Sequence, residues 1–214
     1  MSNPSLLLKP PIDDTMGEVF TAQDFECLAY NIQRKVDART RSGPLRVVEL
    51  GTWSGQSTLA IARPHVLVHS LSSWNQTDDP RKVQWLADER SKEDSPLVVN
   101  LAFQQFVTNT KGFVFRTVMP LICHPLDAVS WWPEKLDAIF VNGDTCDIIL
   151  RHVISEWSKH VRSGGTIYGV YKDHTVAALT GLGHYTVDGT IWRHRVAKEC
   201  GYAMGKEVSQ RRDG

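Results

Sequence analysis

Short apolar segments alternate with helical segments along most of this chain, and this alternation constrains the fold more than any other feature. Apolar, β-prone residues predict five strands, at 45–50, 65–71, 113–119, 136–141 and 166–171. The segments between them are typical of helices, and a further helix is predicted at 21–38, where Thr21 and Asp24 have the spacing of a helix cap. Strands that alternate with helices form a parallel sheet covered on both faces. The sequence therefore predicts a three-layer α/β fold.

Proline and glycine predict where several of these elements begin and end. Pro64 is expected to end a helix at 56–63, and Pro120 to end the third strand. Asp79-Pro80 and Ser95-Pro96 are typical helix starts. A helix at 147–161 is expected to end at Ser163-Gly164-Gly165, as at a glycine C-cap.

The C-terminal part of the pattern differs from the rest. Asp188-Gly189 is a strong hairpin-turn signal between apolar segments at 185–187 and 191–195. Two antiparallel strands are therefore expected after the five parallel ones. Residues 1–196 are predicted to form a single domain, and residues 197–214, which lack an apolar face, a flexible tail.

Composition excludes several classes of protein. The chain has 24 Lys plus Arg against 24 Asp plus Glu, which argues against an extended basic surface for nucleic acid. No stretch of about 18 apolar residues suggests a membrane span, and no signal peptide is expected. The four cysteines form no CxxC pair and suggest thiols in a reducing compartment. A cytoplasmic protein is expected.

The segment from Val47 to Thr58 (VVELGTWSGQST) is the most informative motif. Glu49 lies near the end of the first strand, and Gly51 and Gly55 follow in the turn to the next helix. Glycines in such a turn let the backbone approach a ligand at the carboxyl edge of the sheet. The spacing differs from GxGxxG, and no Lys follows the glycines as it does in a phosphate-binding loop. The alternative is that the glycines serve only the tight turn.

Glu-x-Gly-x-x-x-Gly after a first strand resembles motif I of class I S-adenosylmethionine-dependent methyltransferases, whose acid contacts the ligand's amino group. The segments LDAIFVNGD and VRSGGTIYG, at 136–144 and 161–169, are similar to later motifs of the branch containing small O-methyltransferases and cephalosporin-hydroxylase-like proteins. The resemblance covers about residues 21–196. It implies a Rossmann-like, seven-stranded, mostly parallel sheet in the order 3-2-1-4-5-7-6, with a C-terminal antiparallel hairpin.

The resemblance assigns S-adenosylmethionine contacts to ten positions: Glu49, Gly51, Thr52, Trp53, Ser54, Gly55, Ser72, Trp74, His124 and Asn142. Trp74 would cover the adenine, or else pack on the edge of the sheet. His124 would contribute from the adenine side, or else only start a helix. Ser72 stands where the branch has an Asp that grips the ribose. Losing a charge-assisted hydrogen bond of roughly 1.5–3 kcal/mol would weaken cofactor binding by about one to two decades.

A divalent metal site of the family type is doubtful in this chain. The branch carries Ile-Asp-Gly-Asp-His after its fourth strand, whereas this chain has Asn142 and Thr145 in place of the first Asp and the His. Asp144, Asp147 and Asp173 are the nearby carboxylates that Mg²⁺ would prefer. No metal ligands are therefore predicted.

Methyl transfer needs alignment of the acceptor and, where required, removal of a proton. His174 and Lys172, after the fifth strand, are the candidate bases, with Asp144 as a third candidate catalytic group. The alternative for the first two is that they are solvated loop residues.

Two functions follow from the resemblance. The leading hypothesis is methyl transfer from S-adenosylmethionine to a small, hydroxylated molecule, with no nucleic-acid or membrane partner and with a homo-oligomer left open. The alternative is a catalytically degenerate methyltransferase-fold protein with a binding or structural role, because a fold does not guarantee its chemistry. A dinucleotide oxidoreductase is disfavoured, because the glycine spacing is wrong and Ser72 is not an acid.

Overall fold

A computed structural model describes residues 21–52, 54–72, 74, 101–142, 147–170, 184–189 and 191–197. Five helices lie within these ranges: α1 Ala22–Asp37, α2 Gln56–Ile61, α3 Leu101–Thr110, α4 Pro125–Val129 and α5 Asp147–Ser158. Seven strands form a single sheet: β1 Leu45–Leu50, β2 Val66–Ser72, β3 Val118–Ile122, β4 Leu136–Val141, β5 Val161–Val170, β6 Thr186–Asp188 and β7 Ile191–Arg195.

The order of the sheet is β3-β2-β1-β4-β5-β7-β6, which confirms the predicted order. Strands β1 to β5 are parallel to one another, whereas β7 is antiparallel to both β5 and β6. The terminal hairpin therefore extends a parallel sheet at the β5 side. This is the Rossmann-like architecture of class I methyltransferases.

Helices cover both faces of the sheet and bury an apolar core on each. On one face, Leu28 and Ile32 of α1 pack with Val47 of β1 and residues of α2 and α3. On the other face, Trp157 of α5 packs with Val48 of β1 and residues of α4. Adjacent residues of β1 thus enter opposite cores, as the alternation of side chains along a strand requires.

Helix α1 begins with the predicted cap. Thr21 is the N-cap, and its side chain accepts a hydrogen bond from the backbone N–H of Asp24. The Asp24 carboxylate in turn accepts from the backbone N–H of Thr21 at 2.7 Å. This reciprocal capping box satisfies N–H groups that have no partner within the helix.

The prediction for the third strand was wrong. The strand runs from Val118 to Ile122 and contains Pro120, while residues 113–117 form turns around an isolated bridge at Val114, with Phe115 at a φ of 58°. Strand β3 is the edge strand next to β2. Proline is tolerated in an edge strand, because an N–H that faces away from the sheet has no strand partner to lose.

The predicted end of the helix at 147–161 was also wrong. Helix α5 ends at Ser158, and Gly164 and Gly165 lie inside β5, whose register to β4 shifts between Leu136 and Ala138. Gly164 has a φ of 76°. A Cβ on Gly165 would lie 2.4 Å from Cγ1 of Val161. The glycines therefore allow a bulge in the strand and do not cap the helix.

The hairpin prediction was confirmed. Strands β6 and β7 pair from Thr186↔Arg193 to Asp188↔Ile191, and Gly189 in the turn has a φ of 62°. The starts predicted at Asp79-Pro80 and Ser95-Pro96 and the tail at 197–214 lie outside the described residues, except for Ala197. Within the described ranges, no helix has the length and apolar character needed to span a membrane.

Candidate functional site

The two central strands create a crevice at the carboxyl edge of the sheet. The chain proceeds from β1 to β2 and β3 on one side and reaches β4 and β5 on the other, so the order reverses between β1 and β4. Loops that leave a parallel sheet in opposite directions leave a cleft between them, where α/β proteins bind ligands. The turn after β1 and the residue after β4, Asn142, flank this cleft.

Gly51 brings the turn after β1 against the end of β4. Its φ is 81°, and a Cβ on it would lie 2.1 Å from the backbone oxygen of Asn142. The N–H of Asn142 donates to the Leu50 carbonyl at 2.9 Å, and the N–H of Gly51 donates to the Leu71 carbonyl at 2.9 Å. These two hydrogen bonds join the carboxyl ends of β1, β2 and β4. The approach is possible because residue 51 has no side chain.

Gly55 fixes the other end of this turn against helix α3. It is the N-cap of α2, with a φ of 85°. A Cβ on it would lie 2.8 Å from Cγ2 of Thr110 and 2.9 Å from Cδ2 of Phe106. Asn109 of the same helix donates its amide to the Ser54 carbonyl at 2.8 Å. Both glycines of the motif are therefore needed for close packing against neighbouring elements as well as for the conformation of the turn.

Glu49 is completely buried beneath the turn. The hydroxyl of Ser57 donates to its Oε1, and the hydroxyls of Thr58 and Ser70 donate to its Oε2. Ser70 is the β2 residue that lies beside Glu49 in the sheet, whereas Ser57 and Thr58 lie in the first turn of α2. One carboxylate thus joins two strands and a helix.

Burial and hydrogen bonds act in opposite directions on this carboxyl group. Burial raises the pKa of Glu49 above its ordinary value of 4.5, and the surrounding hydroxyls, including that of Thr52, lower the pKa again. Thr52 is itself buried, and its Oγ1 lies 2.8 Å from Oγ1 of Thr58. The net direction is upward, because desolvation is the largest effect.

Asn142 is connected to this buried group. Its side-chain Nδ2 donates to Oγ of Ser57 at 2.9 Å, and only 9% of the residue is exposed. The residue that stands in place of the family's acid after the fourth strand is therefore in contact with helix α2.

Ser72 and Trp74 lie at the end of β2. Ser72 is half-buried, and its Oγ accepts a hydrogen bond from the Trp74 N–H at 3.3 Å. The Trp74 ring is 1% exposed and contacts Phe103 and Phe106 of α3 edge-on, with ring centroids 5.0 and 5.2 Å apart. These contacts correspond to the packing alternative for Trp74.

His124 begins helix α4. Its Nδ1 accepts a hydrogen bond from the Leu126 N–H at 3.2 Å, and Pro125 occupies the first turn of the helix. The helix start was one of the two interpretations of this residue, and the structure confirms it. Its contact with adenine stays a prediction.

The structure thus brings together most of the predicted residues of the first-strand turn with Ser72 and Asn142. Trp53 and all three catalytic candidates, Asp144, Lys172 and His174, lie outside the described residues. Ser57, Thr58 and Ser70, which surround Glu49, were not predicted as site residues from the sequence. Hydroxyl residues at otherwise apolar positions of β2 and α2 were the available signal, since a buried polar group needs a partner. In the part of the chain described, no cluster of three or more His, Cys, Asp or Glu side chains could hold a metal ion.

Comparison with known proteins gives structural matches only. No protein-family model and no curated protein sequence matches the chain. The O-methyltransferase NovP superposes with a TM-score of 0.58 at 16% identity, over 82% of this chain and 80% of that protein. The cofactor-bound protein Rv0187 from MTB gives 0.54 at 19% identity, over 83% and 81%. Precorrin-6y C5,15-methyltransferase from Geobacter metallireducens GS-15 gives 0.53 at 16%, over 82% and 80%. These matches confirm the methyltransferase fold.

Proposed function

We propose that this protein is an S-adenosylmethionine-dependent methyltransferase that acts on a small, hydroxylated molecule. The observation that carries the proposal is the position of the glycine turn. Gly51 lies where the strand order reverses, with its α-carbon against the end of β4, and the seven-stranded order is that of methyltransferases. Two of the structural matches are named as methyltransferases, the O-methyltransferase NovP and precorrin-6y C5,15-methyltransferase.

The residues at the cleft fit the cofactor in part. The turn from Gly51 to Gly55 would hold its amino-acid part, and the half-buried Ser72 hydroxyl would bond to its ribose. Glu49, Thr52 and Trp74 have almost no exposed surface. Their roles as direct cofactor contacts, like that of Trp53, stay predictions. When bound, the cofactor supplies an activated methyl group on a sulfonium centre.

The acceptor side of the site belongs to residues that follow β4 and β5. Lys172 and His174 come shortly after Val170, the last residue of β5, and Asp144 follows Asn142. The carboxyl ends of neighbouring parallel strands meet at one edge of the sheet. We therefore propose His174 or Lys172 as the base that removes a proton from the acceptor hydroxyl, with Asp144 nearby. The cytoplasmic location suggested by the cysteines is part of this proposal.

Calorimetric titration with S-adenosylmethionine and S-adenosylhomocysteine tests the cofactor. We expect both to bind at millimolar concentration or below, with the same affinity in Mg²⁺ and in EDTA, because the family's metal-binding acid is Asn142 here. No binding of either compound would contradict the proposal. Binding without methyl transfer to any of a broad panel of hydroxylated acceptors would favour the degenerate, binding-only alternative.

A further inference from the structure

Three side chains form a directed series of hydrogen bonds from the cleft to the buried carboxylate. Nδ2 of Asn142 donates to Oγ of Ser57 at 2.9 Å, and the Ser57 hydroxyl donates to Oε1 of Glu49. Glu49 lies on β1, Ser57 on α2 and Asn142 directly after β4. The series therefore crosses three elements that meet beneath the glycine turn.

The number of hydrogens available fixes the direction of this series. A serine hydroxyl has one hydrogen to donate. An ionised carboxylate can only accept, so when Glu49 is ionised Ser57 is the donor to Oε1, as Thr58 and Ser70 are to Oε2. With its hydrogen directed at Glu49, Ser57 can only accept from residue 142. The amide of Asn142 must therefore turn its nitrogen toward Ser57.

This orientation determines which atom Asn142 offers to the cleft. Oδ1 lies on the opposite side of the amide from Nδ2, and it accepts no hydrogen bond from any residue within the described ranges. It is also not among the fully buried polar atoms without a partner. An aspartate at 142 could not donate to Ser57 and would compete with Glu49 for its single hydrogen. An asparagine at 142 is thus compatible with an ionised, buried glutamate at position 49, whereas an ionised aspartate there is not.

We propose that Glu49 is a positioning residue that, through Ser57, fixes the Asn142 amide so that Oδ1 accepts a hydrogen bond from the ammonium group of the bound cofactor. This inference rests on the proposed function and makes it more specific. The family's acid contacts the ligand's amino group directly, whereas in this chain that acid is sealed by three hydroxyls. The acceptor is displaced to the neighbouring strand.

Two ligands separate this role from a general structural one. S-adenosylhomocysteine carries the ammonium group, whereas 5′-methylthioadenosine lacks the whole amino-acid part. We expect Asn142→Ala to weaken binding of S-adenosylhomocysteine by about 10- to 100-fold, the usual range for a hydrogen bond to a charged group. Binding of 5′-methylthioadenosine should not change. Ser57→Ala, which breaks the series in its middle, should show the same selective loss.

Reversing the whole series provides the decisive variant. In Glu49→Gln, the new amide can donate to Ser57, whose hydrogen then points at residue 142 and turns the Asn142 nitrogen toward the cleft. We expect this single variant to lose affinity for S-adenosylhomocysteine selectively. In Glu49→Gln/Asn142→Asp, Ser57 donates to the new carboxylate, which again offers an oxygen to the cleft, and affinity should return. Glu156→Gln, on α5, is the control for removing a carboxylate elsewhere.

Several results would overturn the inference. Equal losses for both ligands would show that the three residues only maintain the fold. Loss in Asn142→Ala without loss in Glu49→Gln and Ser57→Ala would show that Asn142 acts without the series. If Glu49→Gln/Asn142→Asp has the melting temperature of wild type but does not regain affinity for S-adenosylhomocysteine, the direction of the hydrogen bonds does not determine binding. Failure of wild type to bind either ligand would reject the proposed function itself, and this inference with it.

Discussion

At the scale of single residues, Ser72 is the clearest departure from a strong nucleotide site. Its hydroxyl is half-buried at the end of β2 and accepts only a 3.3 Å hydrogen bond from the Trp74 N–H among the contacts described. Replacing it by a carboxylate would supply a charge-assisted acceptor for ribose hydroxyls. We expect Ser72→Asp to strengthen binding of S-adenosylhomocysteine by about 10- to 100-fold in calorimetry.

A matched variant separates this effect from a change in net charge. Ser155→Asp adds the same carboxylate to an exposed position of α5, whose C-terminus lies at the opposite, amino edge of the sheet. We expect it to leave the affinity unchanged. Equal affinities for Ser72→Asp and wild type would show that residue 72 does not face the ribose.

The buried carboxyl of Glu49 should also make stability depend on pH. Its pKa in the folded protein is raised above 4.5, chiefly by burial, so the folded state holds the proton to higher pH than the unfolded state. Its contribution to stability is therefore complete below about pH 4.5 and is lost as the pH rises toward the folded pKa.

Urea unfolding of wild type and Glu49→Gln from pH 4 to pH 8 measures this contribution. We expect the free energy of unfolding of wild type, relative to Glu49→Gln, to fall as the pH rises through this window. A constant difference would show that the carboxyl has the same pKa in both states.

At the scale of elements, the turn between β1 and α2 requires Gly51 both for its positive φ and for the lack of room for a side chain. Gly43 shares only the first of these properties, so comparing the two glycines distinguishes the two effects. Gly51 and Gly43 both have a positive φ, of 81° and 89°. A Cβ on Gly51 would overlap the Asn142 carbonyl, whereas a Cβ on Gly43 would meet nothing within 4 Å. We expect Gly43→Ala to cost about 1 kcal/mol, from the left-handed backbone alone. Gly51→Ala should cost at least about 1–3 kcal/mol more, because β4 must move.

Chemical denaturation of the two variants tests this difference, and ligand titration extends it. Gly51→Ala should also weaken S-adenosylhomocysteine binding, because the turn and Asn142 would shift together, whereas Gly43→Ala should bind as wild type does. Equal destabilisation by the two substitutions would mean that the turn tolerates a methyl group at residue 51.

The elements also show what local sequence could and could not predict. Thr21 with Asp24 predicted the start of α1, and Asp188-Gly189 predicted the hairpin, because each signal lies within a few residues of the structure it creates. Gly164-Gly165 was misread, because glycine is common both after helices and in strand bulges. Pro120 was misread, because the effect of a proline depends on whether its strand lies at an edge, which is a property of the whole sheet.

At the scale of the whole molecule, the family resemblance predicted the order of the strands. It did not predict the hydroxyl groups that surround Glu49. Periodicity gives each strand separately, and the register Glu49↔Ser70 arises only when β1 and β2 pair. The contact from Asn142 to Ser57 spans 85 residues of sequence. Short-range motifs thus predicted the glycine turn after β1, whereas the hydroxyl cluster and the relation of Asn142 to it depend on tertiary packing.

The proline in β3 has a consequence for encounters between molecules. The Thr117 carbonyl and the Cys123 N–H bond to β2. Because the direction of the backbone groups alternates along a strand, those of residues 118, 120 and 122 point to the unpaired side of β3, where Pro120 has no N–H to offer. The opposite border of the sheet, β6, is only three residues long. Unpaired strand borders can recruit strands from other chains, and prolines and short strands discourage this. We therefore expect neither border to template intermolecular β-sheet, so that self-association of this fold would have to use helices or loops.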